Sequence, residues 1–176
     1  MSRLFFALWP DDAVRAELAR YRLGLARACE GRAVRADTLH ITLLFIGDVP
    51  VSRVAALAAC ASRVTACPFD LVVDTAGCFK IAKVGWLGCS QPPAALSDLQ
   101  LAVRSQVAQA GFGLDPRKFK PHVTGVRDIG FPVKRQKLPG INWPVRSFSL
   151  IESVLTGSGP DYKILRTWEL SAPPVT

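Results

Sequence analysis

Hydrophobic and polar positions follow two different periods along this chain, and they predict a mixture of helices and strands. Apolar residues recur every three or four positions in three segments, where they predict amphipathic helices. Those helices run from residue 11 or 12 to about 29, from 52 to about 65, and from 92 to 111. Short apolar or alternating runs bounded by Gly, Pro and Asp predict strands. The predicted strands are 3–8, 39–46, 69–73, 84–88, 120–127, 145–154 and 162–170. Strands 69–73 and 84–88 are expected to form an antiparallel pair. Segment 128–144, basic and punctuated by Gly and Pro, is predicted to be a loop.

One tripeptide pattern occurs twice, as His40-Ile41-Thr42 and as His122-Val123-Thr124, each inside a predicted strand. Together the two copies contain both histidines of the chain. Each copy also follows a helix and a short link, because the preceding helices end at Gly31 and Gly111. The repeated order of helix, link and His-x-Thr strand predicts two related halves whose strands meet at one shared cleft.

The spacing within each tripeptide brings an imidazole and a hydroxyl together. On a strand, residues i and i+2 face the same side, so each histidine stands beside its own threonine. Two imidazoles in one cleft suit acid–base catalysis on a phosphodiester, because one accepts a proton from water while the other donates one to the leaving oxygen. The hydroxyls would hydrogen-bond the non-bridging oxygens as negative charge builds on them.

Composition limits the remaining choices. The chain has 176 residues, of which 49% are hydrophobic and 20% charged, which suits a single domain, residues 1–176, of two pseudo-symmetric lobes. Its formal net charge of +8 fits a polyanionic partner such as RNA, although an ordinary basic protein carries the same charge. The five cysteines contain no C-x-x-C pair and predict reduced thiols rather than a metal site. No signal peptide and no apolar run of about 18 residues is visible, so we expect a cytoplasmic protein without a membrane span.

Two features of the sequence have a plain structural explanation. Lys134, Arg135 and Lys137 fit a solvated loop better than a specific RNA contact. The four tryptophans fit the core better than a platform for stacking bases, and a position of Phe79 and Trp86 in the lining of the groove is left open as the less favoured alternative.

The motifs and their surroundings resemble the 2H phosphoesterases, and among them the bacterial and archaeal RNA 2′,3′-cyclic phosphodiesterases, once called 2′-5′ RNA ligases. The likeness covers nearly the whole chain. It includes the paired His-x-Thr strands, RLFFALWP at 3–10, LHITLLFIGDV at 39–49, Tyr162 and WEL at 168–170. The resemblance implies an α+β fold of two lobes, with two antiparallel sheets facing a central groove and helices outside. It also implies an enzyme that opens 2′,3′-cyclic phosphate ends of RNA to a 2′-phosphate without a metal or other cofactor. Such enzymes can join certain RNA ends by a 2′-5′ bond in the reverse sense.

The same resemblance assigns six residues to the site. They are the acid–base pair His40 and His122, the phosphate-binding Thr42 and Thr124, Arg127 near the phosphate and Phe45 near the nucleoside. Arg127 and Phe45 each stand five positions after their histidine, which strict strand alternation would place on the opposite face. We therefore expect either strand twist or a bulge to bring each residue round to the histidine side, and Gly125 supports a bulge in the second strand. The implied partner is RNA with 2′,3′-cyclic phosphate ends, with tRNA fragments among the candidates, acted on by a monomer.

Two questions stay open at the level of sequence. Because the phosphate remains on O2′, O3′ must leave, so one histidine is protonated beside O3′ while the other is neutral beside water. We favour His40 as the acid and His122 as the base, with the converse open. The alternative function is an RNA- or nucleotide-binding module of the same fold with little turnover. The presence of both His–Thr pairs favours the enzyme, since a binding module has less need of two titrating groups.

Overall fold

The computed structural model describes residues 1–157 and 159–171, and within them the chain forms nine strands, three α-helices and a short 3-10 turn at Ala36–Thr38. The strands are β1 (Ser2–Leu8), β2 (Arg32–Ala33), β3 (Ile41–Val49), β4 (Phe69–Phe79), β5 (Val84–Gly88), β6 (Val123–Arg127), β7 (Gln136–Val145), β8 (Ser147–Thr156) and β9 (Gly159–Glu169). The helices are α1 (Asp12–Ala28), α2 (Val51–Ala61) and α3 (Ala94–Gln109). All seven predicted strands and all three predicted helices are present, and the chain adds β2 and β7.

The strands form one sheet in the order β7-β4-β5-β6-β3-β1-β8-β9, with β2 paired to β6. Every pairing in the described chain is antiparallel. At the centre, β3 and β6 touch through the single residue pair Ile41 and Val123. The α+β architecture is as predicted, and the two expected antiparallel sheets are continuous through this one contact.

The strand order is symmetric about that central contact. On one side β3 is followed outward by β1 and β8, and on the other β6 is followed by β5 and β4. The units β1-α1-β3 and β5-α3-β6 therefore have the same order of strand, helix and His-x-Thr strand. As a result, the two motif strands lie side by side in the middle of the sheet.

The two faces of the sheet have different partners. On β1, Leu4, Phe6 and Leu8 belong to the main core together with the helices. The alternate residues Phe5 and Ala7 point to the opposite face, where they form a small second cluster. The helices present the predicted apolar stripes to the first face, including Val14, Leu18 and Leu25 on α1 and Leu96, Leu99, Val103 and Val107 on α3. The second face is left open for the His-x-Thr side chains.

The prediction of a loop over 128–144 was wrong for its second half, where the chain forms β7. The strand contains Pro139 and Pro144, which cannot donate ladder hydrogen bonds. Strand β7 tolerates them because it is at the edge of the sheet and pairs only with β4. Several boundaries also differ: α2 ends at Ala61 instead of about residue 65, β3 continues to Val49, and β4 continues to Phe79.

Candidate active site

Each motif histidine lies immediately before its strand and is oriented by a backbone carbonyl. Nδ1 of His40 lies 2.7 Å from the carbonyl oxygen of Thr38, and Nδ1 of His122 lies 2.7 Å from that of Lys120. Because a carbonyl oxygen only accepts, each Nδ1 carries the hydrogen and each neutral ring has its lone pair on Nε2. In the first motif, Nε2 accepts from the Thr42 hydroxyl at 3.0 Å. The expected pairing of imidazole and hydroxyl is therefore present at His40.

A β-bulge in β3 follows the first motif. Thr42 and Leu44 pair with adjacent residues of β1, which leaves Leu43 as an extra residue. Leu43 and Leu44 are both buried, at 2% and 4% exposure, while Phe45 returns to the open face. The bulge is the physical reason that a residue five positions after His40 shares its side of the sheet.

A second bulge occupies the equivalent place in β6. Thr124 and Val126 pair with adjacent residues of β5, which leaves Gly125 as the extra residue. A Cβ on Gly125 would lie 3.2 Å from Cβ of Arg22, so helix α1 leaves little room for a larger residue. Val126 is fully buried and Arg127 is exposed beyond it. The expected bulge at Gly125 is confirmed, and it has a twin at Leu43.

Aromatic rings enclose His40 on three sides. The Trp9 ring is stacked on the imidazole at 5.4 Å between centroids, and Phe5 lies at 5.0 Å. The Tyr162 ring meets the imidazole edge-on at 5.3 Å. This enclosure leaves the ring half-buried and removes water from most of its surface.

Burial lowers the pKa of His40 from 6.5 to about 4, because the charged imidazolium loses solvation among these rings. The hydrogen bond to Thr38 opposes this effect, while the positive charges of His122 and Arg127 add to it. At neutral pH the ring is therefore uncharged in the free protein.

His122 lies in a less enclosed setting. Its ring meets Phe79 edge-on at 5.0 Å, and the Lys120 ammonium lies 6.0 Å from the centre of the same Phe79 ring. Burial also lowers the pKa of His122, opposed by the hydrogen bond to Lys120 and aided by the charge of Arg127. The two histidines thus interact electrostatically with each other and with one arginine.

A groove of about 390 Å³ opens beside these groups. Five of the six predicted site residues line it, and His122 is beside it without being among its lining residues. The five are His40, Thr42, Phe45, Thr124 and Arg127. The fold therefore brings the first motif, the second threonine and both bulge-positioned residues to one opening.

Several lining residues were not predicted. They are Arg3, Phe5, Arg32, Val34, Arg35, Thr38, Ser153, Leu155, Gly159, Pro160 and Tyr162. With Arg127, the groove has four arginines and no acidic residue in its described lining. Arg32 pairs with Asp128 at 3.0 Å, and Arg35 approaches Asp161 at 3.5 Å. The basic link 32–35 was visible in the sequence, but its position beside the groove depends on the pairing of β2 with β6.

Three further properties of the described chain concern metal ligands, cysteines and membrane spans. The described residues contain no group of three or more His, Cys, Asp or Glu side chains placed to hold a metal ion. The five cysteines are free thiols. In the described ranges, no helix is long and apolar enough to cross a membrane.

Known proteins are similar to this chain over nearly its full length. The family model for LigT like phosphoesterases matches residues 8–85. The RNA 2′,3′-cyclic phosphodiesterase of Escherichia coli K12 is 36% identical over 171 residues, covering 96% of this chain and 97% of that protein. The protein of the same name from Archaeoglobus fulgidus is 32% identical, with coverage of 95% and 99%. The crystal structure of E. coli LigT complexed with 3′-AMP has a TM-score of 0.89 at 34% identity, with coverage of 97% and 99%. Its complex with phosphate has a TM-score of 0.84 at 34% identity, with coverage of 97% and 98%.

Proposed function

This chain belongs to the LigT-like phosphoesterase family, and from that premise we propose that it hydrolyses the 2′,3′-cyclic phosphate ends of RNA. The curated relatives with near-complete coverage are named RNA 2′,3′-cyclic phosphodiesterases. The similar E. coli protein has been crystallised with 3′-AMP and with phosphate, which fits a site for a nucleotide and its phosphate. The four arginines around the groove suit the same anionic substrate.

One observation carries the proposal: the two His-x-Thr motifs have the same local construction. Each imidazole is held through Nδ1 by the carbonyl two residues earlier, and each strand has a bulge three residues after the histidine. A binding module does not need two imidazoles prepared in this way. Acid–base catalysis needs both, one in each protonation state.

The proposed reaction is an in-line displacement at phosphorus. A water molecule attacks the phosphorus and gives a proton to the neutral histidine, while the bond from phosphorus to O3′ breaks. O3′ leaves with the proton of the other histidine, so that the product carries a 2′-phosphate and a 3′-hydroxyl. The Thr42 and Thr124 hydroxyls donate to the non-bridging oxygens, Arg127 balances their charge, and Phe45 contacts the nucleoside. No metal takes part in this scheme.

We propose His40 as the acid and His122 as the base. Since the pKa of His40 is lowered to about 4 in the free protein, His40 must gain its proton when the anionic phosphate binds beside it. The converse assignment keeps the same proton count, and a histidine that is neutral in the free protein, as His40 is, suits the role of base. Substrate chemistry can separate the two assignments.

The first test is turnover of an RNA oligonucleotide with a 2′,3′-cyclic phosphate end by the purified protein in EDTA. We expect a product with a 2′-phosphate, and a fall of about 10²- to 10⁴-fold in kcat for His40→Ala and for His122→Ala. Binding without turnover in the unaltered protein would favour the binding-module alternative. A 3′-phosphate product would contradict the departure of O3′.

The second test uses a cyclic substrate whose bridging 3′ oxygen is replaced by sulfur. A thiolate leaves without being protonated, so the variant that lacks the acid should recover activity on this substrate. Recovery by His40→Ala alone supports His40 as the acid, and recovery by His122→Ala alone supports the converse.

If a 5′-hydroxyl end of RNA takes the place of water in the same step, the product is a 2′-5′ bond, which is the proposed reverse-type ligation. The protein is proposed to act as a cytoplasmic monomer, and RNA fragments, including those from tRNA, are the proposed substrates.

A further inference from the structure

A second cavity, of about 410 Å³, lies near His122, because the Phe79 ring contacts both the His122 ring and the ring of Trp86, which lines the cavity. Trp86 of β5 forms part of its wall, and Lys80, Lys134 and Arg135 supply its charge. No acidic residue is among its lining residues within the described chain. A cavity of this composition combines the two features of sites for single-stranded nucleic acid, an aromatic surface and a basic border.

The cavity and the groove share one face of the sheet. Trp86 is the direct partner of Thr124 across β5 and β6, and side chains of directly paired residues lie on the same side. Thr124 lines the groove, while Trp86 lines the cavity. The Phe79 ring bridges the two, since it lies 5.0 Å from the His122 ring and 5.7 Å from the Trp86 ring. The aromatic surface therefore continues from the second histidine into the cavity.

Two glycines leave room for the Trp86 ring to lie close against the sheet. A Cβ on Gly77 would lie only 2.5 Å from the Trp86 ring, and a Cβ on Gly88 would lie 3.3 Å from it. The indole N–H of Trp168 donates to Ser62 at 2.9 Å, whereas that of Trp86 is buried without an acceptor in the described chain. The Trp86 ring is half-buried and lines the cavity, so its remaining accessible surface is available to a base.

Cations border this platform. The Arg135 guanidinium lies 5.8 Å from the centre of the Trp86 ring and is held there by Nε donating to Thr75 Oγ1 at 3.1 Å. Part of its charge is balanced by Asp74, whose pKa it helps to lower. Lys80 and Lys134 are exposed and form no ion pair within the described residues. The two lysines are the charges available to a phosphodiester backbone.

We infer that the cavity beside Trp86 binds the RNA strand that precedes the cyclic end, so that an oligonucleotide is a better substrate than a cyclic mononucleotide. This inference rests on the proposed function, because it takes the groove as the site of the terminal nucleotide. A base of the preceding segment stacks along the surface formed by Phe79 and Trp86, and its phosphates face Lys80 and Lys134. The basic residues near 134 therefore contact RNA, contrary to the solvated loop expected from the sequence.

The test compares a short RNA ending in a 2′,3′-cyclic phosphate with adenosine 2′,3′-cyclic phosphate. The quantity measured is the ratio of kcat/KM for the oligonucleotide to kcat/KM for the mononucleotide. The variants are Trp86→Leu and the double variant Lys80→Gln/Lys134→Gln. The matched control is Arg20→Gln/Arg27→Gln, which removes two exposed charges from helix α1, away from both openings.

We expect the ratio to fall about tenfold in Trp86→Leu, as for loss of one base-stacking contact. It should fall by a similar factor in the double lysine variant and stay at its original value in the control. Binding of a 2′-phosphorylated oligonucleotide should also lose salt dependence, with the slope of log Kd against log salt reduced by about 1.4 for two lost phosphate contacts. This lysine measurement stands even if Trp86→Leu fails to fold.

An unchanged ratio in the double lysine variant would overturn the inference, as would an equal fall in the control. Equal losses on both substrates would also overturn it, because they would assign the residues to the groove. Failure of the unaltered protein to hydrolyse either substrate would instead refute the proposed function. The salt dependence of oligonucleotide binding would then still decide whether the cavity binds RNA.

Discussion

The enclosure of His40 makes the stability of the whole protein depend on pH in a way that one substitution should remove. In the folded protein the pKa of this imidazole is about 4, while its ordinary value, which the unfolded chain restores, is 6.5. The unfolded state therefore binds a proton between these two pH values when the folded state does not. The free energy of unfolding is therefore highest above pH 6.5, where His40 is neutral in both states. The contribution of His40 to this free energy is lost as the pH falls from 6.5 towards 4.

The size of the effect follows from the difference between the two pKa values. A difference of about 2.5 at about 1.36 kcal/mol per unit gives a maximum of about 3 kcal/mol. At pH 4.5 most of it, about 2.5 kcal/mol, is already lost relative to pH 7.5. For a domain of ordinary stability this is a large fraction of the free energy of unfolding.

The assay is urea denaturation at pH 7.5 and pH 4.5 of the unaltered protein and of His40→Gln. We expect the unaltered protein to lose about 2 to 3 kcal/mol more than the variant between the two pH values, since carboxylates and other groups titrate in both proteins. His122→Gln is the matched comparison, because it retains His40 and should retain most of the pH dependence. Equal losses in the unaltered protein and His40→Gln would refute the claim that Trp9, Phe5 and Tyr162 exclude water from this ring.

Three further predictions concern the groove. Thr42→Val and Thr124→Val keep side-chain shape but remove a hydroxyl donor, so kcat on a cyclic-ended RNA should fall about 10²-fold with little change in thermal stability. Gly125→Val places side-chain atoms against Arg22. The melting temperature should therefore fall by an amount that corresponds to a loss of about 1–3 kcal/mol in the free energy of unfolding. An unchanged melting temperature would contradict the close approach of α1. Arg127→Met should weaken inhibition by inorganic phosphate about tenfold or more, measured by competition kinetics, whereas Arg27→Met on α1 should leave it unchanged.

Much of the fold could be predicted because the spacing of apolar residues along each element matches the face that the element buries in the core. The stripe at Leu96, Leu99, Val103 and Val107 faces the core as its spacing indicates. Strand β7 was missed because Pro139 and Pro144 are local signals of a turn. Only the position of that strand at the edge of the sheet makes prolines acceptable, and strand order is not a local property.

In the candidate site, residues within a short motif could be predicted from the sequence, whereas residues from strands far apart in the chain could not. His40, Thr42, His122 and Thr124 could be named as candidates because each tripeptide places an imidazole and a hydroxyl on the same side of a strand. Residues such as Arg3, Ser153 and Tyr162 reach the groove from strands that are far apart in the chain, and no local period links them. The bulge at Gly125 left a signal, since glycine is common at such positions, but its twin at Leu43 has an ordinary strand residue and left none.

The symmetric strand order also has a consequence for how the protein is made. Strands β4, β5, β6 and β7 all lie between residues 69 and 145, so that half of the sheet is complete when Val145 has been synthesised. The other half begins with β1 (Ser2–Leu8), but its outer neighbours β8 and β9 come after all the other strands in the described chain. Until the ribosome releases those residues, one edge of β1 has no neighbour and Phe5 and Ala7 lack Ile151, their buried partner. The wall of the groove that contains Tyr162 is therefore assembled after the other strands of the described chain, so a nascent chain acquires its aromatic enclosure around His40 only once β9 has left the ribosome.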